Sequence, residues 1–172
     1  MIIIKILRRH EGNYLNLHCE DMKSYRYLNG GQELLDSVEP LWKLLNEYHK
    51  MKSIDFKNLY ENFTYDERKN KLLTSKVINI DIAIDCFENY IGYCISTISQ
   101  DLIGEVDSLF VKEEARKYGI GDELIRRALE WLESNNVKKK IITVASGNEN
   151  VINFYNKYGF KKRRIVLELV EE

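Results

Sequence analysis

The chain has 172 residues, of which 44% are hydrophobic and 31% charged, and its formal net charge is -1. This length predicts one domain, and the composition is that of a soluble globular protein and excludes a disordered chain. Because the net charge is close to zero, no overall field recruits nucleic acid or an anionic membrane, and neither is expected as a partner. The basic clusters at residues 138–140 and 161–164 are interpreted as solvated ends of helices or strands.

The N-terminus and the cysteines indicate the cellular location of the protein. The first ten residues are apolar and then basic, the reverse of a secretory signal, and no segment approaches the length of a membrane span. Cys19, Cys86 and Cys94 show neither a disulfide framework nor metal-ligand spacing, and the three histidines form no cluster. We therefore expect reduced thiols, no bound metal and a cytoplasmic location.

Several segments alternate or run apolar with many β-branched residues, which is typical of strands. Residues 29–31 (Asn-Gly-Gly) are predicted to form a loop, and residues 88–89 a turn between two adjacent strands. The predicted strands are residues 1–7, 14–22, 76–85, 90–99, 102–111, 140–146 and 165–170.

Other segments carry apolar residues at helical spacing. Pro40, the only proline, either begins the first of these helices or kinks it, and Gly159 is expected to cap the last one. Strands with helices before, between and after them indicate a mixed α/β domain. The predicted helices are residues 34–48, parts of 55–73, 121–134 and 150–158.

Two glycines, Gly119 and Gly121, interrupt a charged segment just before the helix at 121–134. A glycine-containing turn between a strand and a helix presents free backbone N–H groups, which favour a bound phosphate. The alternative is that the glycines only form a tight turn. A P-loop motif is absent from the sequence, and the dinucleotide pattern GxGxxG fails because Leu124 stands at its third glycine.

The segment around these glycines resembles the GNAT superfamily of acyl-CoA-dependent N-acetyltransferases. The superfamily signature [RQ]xxGx[GA] is matched by Arg116, Gly119 and Gly121. A strand leading to Asn148 and the run FYNKYGF at residues 154–160 follow in the order and spacing that the superfamily shows. The resemblance covers roughly the C-terminal half of the chain.

This resemblance implies a central mixed, mostly antiparallel sheet whose fourth and fifth strands splay apart, flanked by helices. It implies that residues 1–75 form the acceptor side and residues 76–172 the core that binds acetyl-CoA. The pantetheine arm would lie in the gap between the splayed strands, and the pyrophosphate on the glycine loop. The coenzyme-binding residues so implied are Leu109, Phe110, Val111, Arg116, Lys117, Tyr118, Gly119, Ile120, Gly121 and Asn148.

The implied chemistry is direct attack of a primary amine, on a small molecule or a peptide, on the thioester carbonyl. Tyr155 matches the tyrosine that protonates the leaving thiolate, and the N–H of Val111 could polarise the carbonyl oxygen. Glu105 is the candidate base, directly or through a water. It lies six residues before Val111, so we expect both side chains on one face of the strand, with Asp107 on that face as a substitute.

Alternatives remain open for these residues and for the function. Tyr155 could anchor its helix in the core, Glu105 could be an exposed strand carboxylate, and Asn148 could cap the helix after it. The protein could bind acyl-CoA without turnover, as a sensor or an assembly module, or use the same loop for a nucleotide. Dimerisation is common in this superfamily, and the terminal strand at 165–170 could supply an edge for a homodimer.

Overall fold

The computed structural model describes residues 25–169. Five strands form one sheet in the order β1-β2-β3-β4-β5. Neighbouring strands are antiparallel, except that β4 and β5 are parallel. The mixed, mostly antiparallel sheet is therefore confirmed. The strands are β1 (Arg26–Gly30), β2 (Val77–Ile84), β3 (Tyr90–Ile98), β4 (Ile103–Val111) and β5 (Lys139–Ile142).

Helices cover both faces of this sheet: α1 and α3 lie on one face and α4 on the other. The turn between β4 and α4 is a 3₁₀ helix, Glu113–Tyr118. Among the described helices, none combines the length and apolar character that crossing a membrane requires. The α-helices are α1 (Leu35–Lys52), α2 (Lys57–Asn62), α3 (Tyr65–Leu73), α4 (Ile120–Ser134) and α5 (Ile152–Asn156).

A capping box fixes the start of α3. The Thr64 hydroxyl accepts a hydrogen bond from the N–H of Glu67 (3.2 Å), and the Glu67 carboxylate accepts one from the N–H of Thr64 (2.8 Å). Such reciprocal bonds satisfy backbone donors that a helix start leaves free. The cap therefore sets where α3 begins and which side chains it turns toward the sheet.

The core consists of two apolar clusters, one on each face of the sheet. The α1–α3 cluster joins those two helices to β2 and β3 and to Phe110 of β4. The α4 cluster joins α4 to the opposite sides of β3 and β4. Its fully buried members from α4 are Ile120, Leu124, Ile125, Ala128 and Leu132.

A β-bulge in β4 reverses the direction of its side chains. Ser108 pairs with Ile95 and Val106 pairs with the next residue of β3, Ser96, so Asp107 is an extra residue in β4. Val106 and Val111 both pack in the α4 cluster although they are five residues apart. In a regular strand an odd spacing would place them on opposite faces.

Strands β4 and β5 separate along their length, as expected of the fourth and fifth strands. Their pairing is confined to residues 103–106 of β4, which face Lys139–Ile142. Beyond Val106, β4 continues to Val111 with β3 as its neighbour on the other side. A gap therefore opens beside the second half of β4.

Some predicted elements differ from the structure. Asn29 and Gly30 belong to β1 instead of a loop, because their backbones pair with β2. The strand predicted at 140–146 ends at Ile142, where β5 leaves β4. The C-terminal strand prediction is wrong for the described residues 165–169, which form neither strand nor helix. The strands predicted at 1–7 and 14–22 lie outside the described residues.

Candidate active site

The free edge of β4 presents backbone groups to the gap. Successive residues of a strand direct their N–H and C=O groups to opposite neighbours. The N–H of Lys112 donates to the C=O of Ile91 in β3 (2.9 Å). The backbone groups of Leu109 and Val111 therefore point away from β3, into the gap. Those of Phe110 point toward β3, and its side chain packs in the α1–α3 cluster.

Arg116 fastens the loop that follows β4. Its Nε donates to the C=O of Val111 (3.0 Å), and its guanidinium lies 5.8 Å from the centre of the Tyr48 ring in α1. The side chain is thus held at the end of the gap. This anchor brings the start of α4 next to the end of β4.

The glycine loop leads directly into α4. Gly119 has φ +73°, a left-handed conformation that other residues adopt only with strain, and it is the N-cap of the helix. A Cβ on Gly121 would make only ordinary contacts, at 3.8 Å from Val111 and Phe154. Packing therefore does not require glycine at 121. The first N–H groups of α4 have no partner within the helix and suit an anion.

The neighbours of the loop are held in place. Lys117 is exposed, whereas the side chain of Ile120 is fully buried in the α4 cluster. The C=O of Tyr118 accepts a hydrogen bond from the Tyr25 hydroxyl (2.6 Å). These contacts tie the loop to the residue just before β1 and to the core.

Two carboxylates stand in the first turn of α4, where they could repel a phosphate. Asp122 accepts a hydrogen bond from the Tyr158 hydroxyl. Glu123 pairs with Arg126 (2.6 Å) and Arg127 (2.8 Å). Side chains of α4 and of the segment after α5 therefore bind both carboxylates. These contacts reduce the electrostatic repulsion between the carboxylates and an anion at the loop.

Tyr155 lies on α5 and packs against the α4 cluster. Its ring contacts those of Phe154 (5.2 Å between centres) and Phe160 (6.3 Å). Burial raises the pKa of the Tyr155 phenol, and the nearby Cys94 thiol of β3 raises it further. Cys94 pairs with Leu109, so the phenol lies close to the part of β4 that borders the gap. At neutral pH it is a proton donor.

Two carboxylates, Glu105 and Asp107, lie on the other face of β4. Asp107 forms an ion pair with Arg68 of α3, whose side chain is almost fully buried. Glu105 accepts a hydrogen bond from the hydroxyl of Thr143 (2.8 Å), the first residue after β5. Asp107 therefore forms a direct ion pair, whereas Glu105 forms none with a described residue: it binds the neutral hydroxyl of Thr143 and interacts with the charge of Arg68 at longer range.

The expectation that Glu105 and Val111 share a face of the strand is wrong. The bulge at Asp107 shifts the alternation, so Val111 packs in the α4 cluster while the Asp107 side chain reaches α3. As a result, Tyr155 and Glu105 approach the gap from opposite faces of the sheet. Asp107 does share a face with Glu105, as expected.

Asn148 lies in the turn between β5 and α5. It is 9% exposed, and its side-chain Oδ1 has no hydrogen-bond partner among the described residues. It occupies the N-cap of a 3₁₀ turn, Glu149–Val151, without a side-chain capping bond. The capping alternative is therefore not realised. A buried acceptor without a partner fits a role in binding a ligand.

Sequence reasoning missed Arg68 and Thr143. Tyr65, Arg68 and Leu72 recur at helical spacing on one face of α3, and all three are buried. An arginine within an apolar stripe was the available signal of a buried ion pair. For Thr143 the sequence carried no such signal. Within residues 25–169 there is no group of three His, Cys, Asp or Glu side chains that could hold a metal ion.

Comparison with known proteins assigns the family. The model of the acetyltransferase (GNAT) family matches residues 38–160, well over half of the chain. The protein therefore belongs to the acetyltransferase (GNAT) family, in agreement with the resemblance seen in its motifs.

Individual relatives match this chain over only part of its length or at low sequence identity. An uncharacterized N-acetyltransferase of Methanocaldococcus jannaschii is 31% identical over 85 residues, which are 49% of this chain and 35% of that protein. The chain thus spans about a third of that relative's length. A solved structure from Pyrococcus furiosus, of a protein assigned as an acetyl transferase, matches this chain with a TM-score of 0.70 at 23% sequence identity. The match covers 86% of this chain and 100% of that chain.

An aminoglycoside N-acetyltransferase in complex with CoA is a further structural neighbour. It has a TM-score of 0.58 at 14% identity and covers 86% of this chain and 95% of its own. At such identities, these solved structures establish that the fold is shared.

Proposed function

We propose that the protein transfers an acetyl group from acetyl-CoA to a primary amine of a small molecule or peptide, by direct attack in a ternary complex. The observation that carries this proposal is the gap between β4 and β5. One end of the gap meets the N-terminus of α4, Tyr155 borders it on one face, and Glu105 borders it on the other.

The coenzyme would use the backbone of β4 and the glycine loop. An extended pantetheine arm carries amide groups, which the N–H and C=O groups of Leu109 that face the gap could pair with. The C=O of Val111 already accepts from Arg116. The pyrophosphate would bind the N–H groups of residues 117–121, with the exposed Lys117 adding charge. The buried Oδ1 of Asn148, which has no partner among the described residues, would accept a hydrogen bond from the coenzyme.

The attacking amine needs a base. An alkyl amine with a pKa of about 10.4 is mostly protonated at neutral pH. We assign the base to Glu105, acting directly or through a water, because Asp107 is engaged in a buried ion pair with Arg68. A carboxylate paired with a guanidinium is a weak proton acceptor, since protonation would leave the arginine unpaired.

Tyr155 would supply the proton that the leaving thiolate takes up. Its raised pKa keeps the phenol protonated until the thiolate forms. As the C–S bond breaks, the phenol O–H would hydrogen-bond to the sulfur and stabilise the charge that develops on it. The N–H of Val111, which points into the gap, would stabilise the charge that develops on the carbonyl oxygen.

The acceptor would enter from the α1–α3 face, where Glu105 lies. The neighbour of known chemistry acts on an aminoglycoside, a small molecule with several primary amines. This supports a small-molecule acceptor without selecting one. A peptide amine remains within the same proposal, because the chemistry requires only an unprotonated primary amine.

The test is release of free thiol from acetyl-CoA in the presence of a panel of amines. The panel should include an aminoglycoside, a polyamine, an amino acid amide and a peptide with a free N-terminus. Saturable, amine-dependent thiol release with one class would support transfer. Acetyl-CoA binding with no amine raising thiol release above the hydrolysis background would favour the non-catalytic sensor instead.

A further inference from the structure

The end of α1 crosses the gap between β4 and β5 on the α1–α3 face. On one side of the gap, the centre of the Tyr48 ring lies 5.8 Å from the guanidinium of Arg116, in the 3₁₀ turn after β4. On the other side, the C=O of Lys52 contacts Gly147 in the segment after β5, so closely that a Cβ on Gly147 would clash with that oxygen. The last turn of α1 therefore spans the gap.

Lys52 directs its side chain to the same side of α1 as Tyr48. Residues four apart share a helix face, and the Lys52 ammonium lies 5.8 Å from the centre of the Tyr48 ring. Lys50 is directed elsewhere, toward Glu61 of α2, with which it forms an ion pair (3.1 Å). The Tyr48 ring thus has two cations, Lys52 and Arg116, within the range of cation–π attraction.

These two cations have no counter-charge in the described part of the chain. Within residues 25–169, neither Lys52 nor Arg116 forms an ion pair. A lysine without a partner is ordinary on a surface, but here the helix end that carries it is held on both sides of the gap. Two neighbouring positive charges without a carboxylate create a positive potential beside the gap, which attracts an anion.

We propose that Lys52 binds an anionic group of the acceptor, which is then a primary amine that also carries a carboxylate or a phosphate group. This inference rests on the proposed acetyl transfer and names the class of its acceptor. The amine would lie near Glu105 and the anionic group toward Lys52, so that opposite charges orient the molecule in the gap. A polycationic amine would be repelled by Lys52.

The acceptor suits this position better than the coenzyme does. The pyrophosphate would lie at the N-terminus of α4, and α4 packs on the face of the sheet opposite to α1. Lys52 belongs to α1 and therefore lies on the face from which the acceptor would enter. Arg116, at the end of the gap, adds positive potential to both sites.

Pairs of amines that differ only in charge test the proposal. The pairs are ω-amino acids of increasing chain length with their amides, and phosphoethanolamine with ethanolamine, which separates a carboxylate from a phosphate. We expect kcat/KM to be about tenfold higher for the anionic member of the best pair, mainly through KM, as for a hydrogen bond between charged groups. Equal values in every pair would overturn this inference and leave acetyl transfer in place. Transfer to no amine at all would overturn the proposed function and this inference with it.

Lys52→Met removes the charge and keeps an unbranched side chain. In this variant the two members of the best pair should become equal acceptors, while calorimetry should give an unchanged Kd for acetyl-CoA. Lys50→Met is the matched control, because it removes the same charge from the same helix at the ion pair with Glu61, and it should keep the preference. A preference that survives in Lys52→Met, or a loss of acetyl-CoA affinity in place of the preference, would overturn the proposal.

Gly147→Ala displaces the end of α1 without changing any charge. Gly147 and Gly159 have φ +83° and +86°, so alanine is strained at both positions, but only the Cβ at 147 would meet the C=O of Lys52. We expect Gly147→Ala to weaken the preference for the anionic amine and Gly159→Ala to keep it. Equal preferences in these two variants would contradict the assigned position of Lys52.

Discussion

At the scale of single residues, Tyr155 offers the most direct test of the proposed chemistry. Tyr155→Phe keeps the buried ring and removes the hydroxyl, so we expect kcat to fall by about 10²–10⁴-fold, the usual contribution of a general acid. The Kd for acetyl-CoA should stay nearly unchanged. Thiol release and calorimetry measure the two quantities.

Tyr158→Phe is the matched control for that variant. It removes a phenol hydroxyl from the same part of the chain, but one that donates to Asp122. At saturating acetyl-CoA its turnover should stay within a few-fold of the unsubstituted protein, because the contact with Asp122 bears on the glycine loop and not on the reacting atoms. Turnover in Tyr155→Phe equal to that in Tyr158→Phe would remove Tyr155 from the mechanism.

The two carboxylates on β4 should respond differently to substitution. Glu105→Gln is expected to lower kcat/KM by about 10²–10⁴-fold with little loss of stability. Asp107→Asn should instead destabilise the fold by up to about 3–5 kcal/mol, because it leaves Arg68 buried without its counter-charge. Urea unfolding and steady-state kinetics separate these effects. The base assignment is wrong if folded Asp107→Asn is inactive while Glu105→Gln is not.

Whether a site residue could be predicted from the sequence depends on whether its structural role is set locally along the chain. Gly119 could be recognised because a left-handed backbone conformation involves a single residue and favours glycine. The face of Glu105 was predicted wrongly relative to Val111, because the intervening bulge arises from pairing with β3. Arg68 was missed because its partner is distant in the chain.

At the scale of secondary-structure elements, the junction of the glycine loop and α4 is the feature to test. Gly119→Ala should lower stability by about 1–2 kcal/mol through backbone strain, since a Cβ there meets nothing within 4 Å. It should also weaken acetyl-CoA binding by about tenfold, or ~1.4 kcal/mol, if the Cβ obstructs the pyrophosphate. Calorimetry measures the affinity.

Gly159→Ala provides the control for strain alone. Gly159 has φ +86° and, like Gly119, open space where a Cβ would stand. The two variants should therefore lose similar stability, whereas only Gly119→Ala should lose affinity for the coenzyme. Equal affinities in both would mean that the glycine loop serves only the turn.

The end of α1 should make stability depend on pH. His49 stacks on Tyr60 of α2 with 5.6 Å between ring centres, and burial lowers the pKa of its imidazole. The folded state thus disfavours protonated His49, whereas the unfolded chain protonates it near its ordinary pKa of about 6.5. As the pH falls below about 6.5, the unfolded state binds more protons and stability falls.

The variant His49→Phe isolates this contribution while keeping an aromatic ring. From pH 8 to pH 5, the free energy of unfolding of the unsubstituted protein should fall relative to that of the variant, as urea titrations would measure. Parallel curves for the two proteins across this range would contradict the assigned protonation state.

Some secondary-structure elements could be predicted from their apolar pattern, whereas others depend on pairing with a neighbouring strand. The strands β2, β3 and β4 and the helix α4 were predicted correctly because their apolar patterns match the faces they bury. Residues 165–169 have a strand-like composition, but a strand exists only when a neighbour pairs with it. Asn29 and Gly30 favour turns locally, and their pairing with β2 overrides that preference.

At the scale of the whole molecule, the sheet keeps the two halves of the proposed chemistry apart. The α4 face carries Tyr155, the α1–α3 face carries Glu105, and the gap between β4 and β5 is where both faces meet. We expect donor and acceptor to meet there, each approaching from its own side. In the proposed function, this arrangement would let the amine attack the thioester directly, without a covalent acyl-enzyme.

The central claim is that this gap and glycine loop bind acetyl-CoA. Calorimetric titration of the purified protein with acetyl-CoA, with ATP and NAD as controls, tests it most directly. We predict saturable binding of acetyl-CoA at one site and no comparable binding of ATP or NAD. A folded protein that does not bind acetyl-CoA, or that binds ATP or NAD in preference to it, would contradict the account.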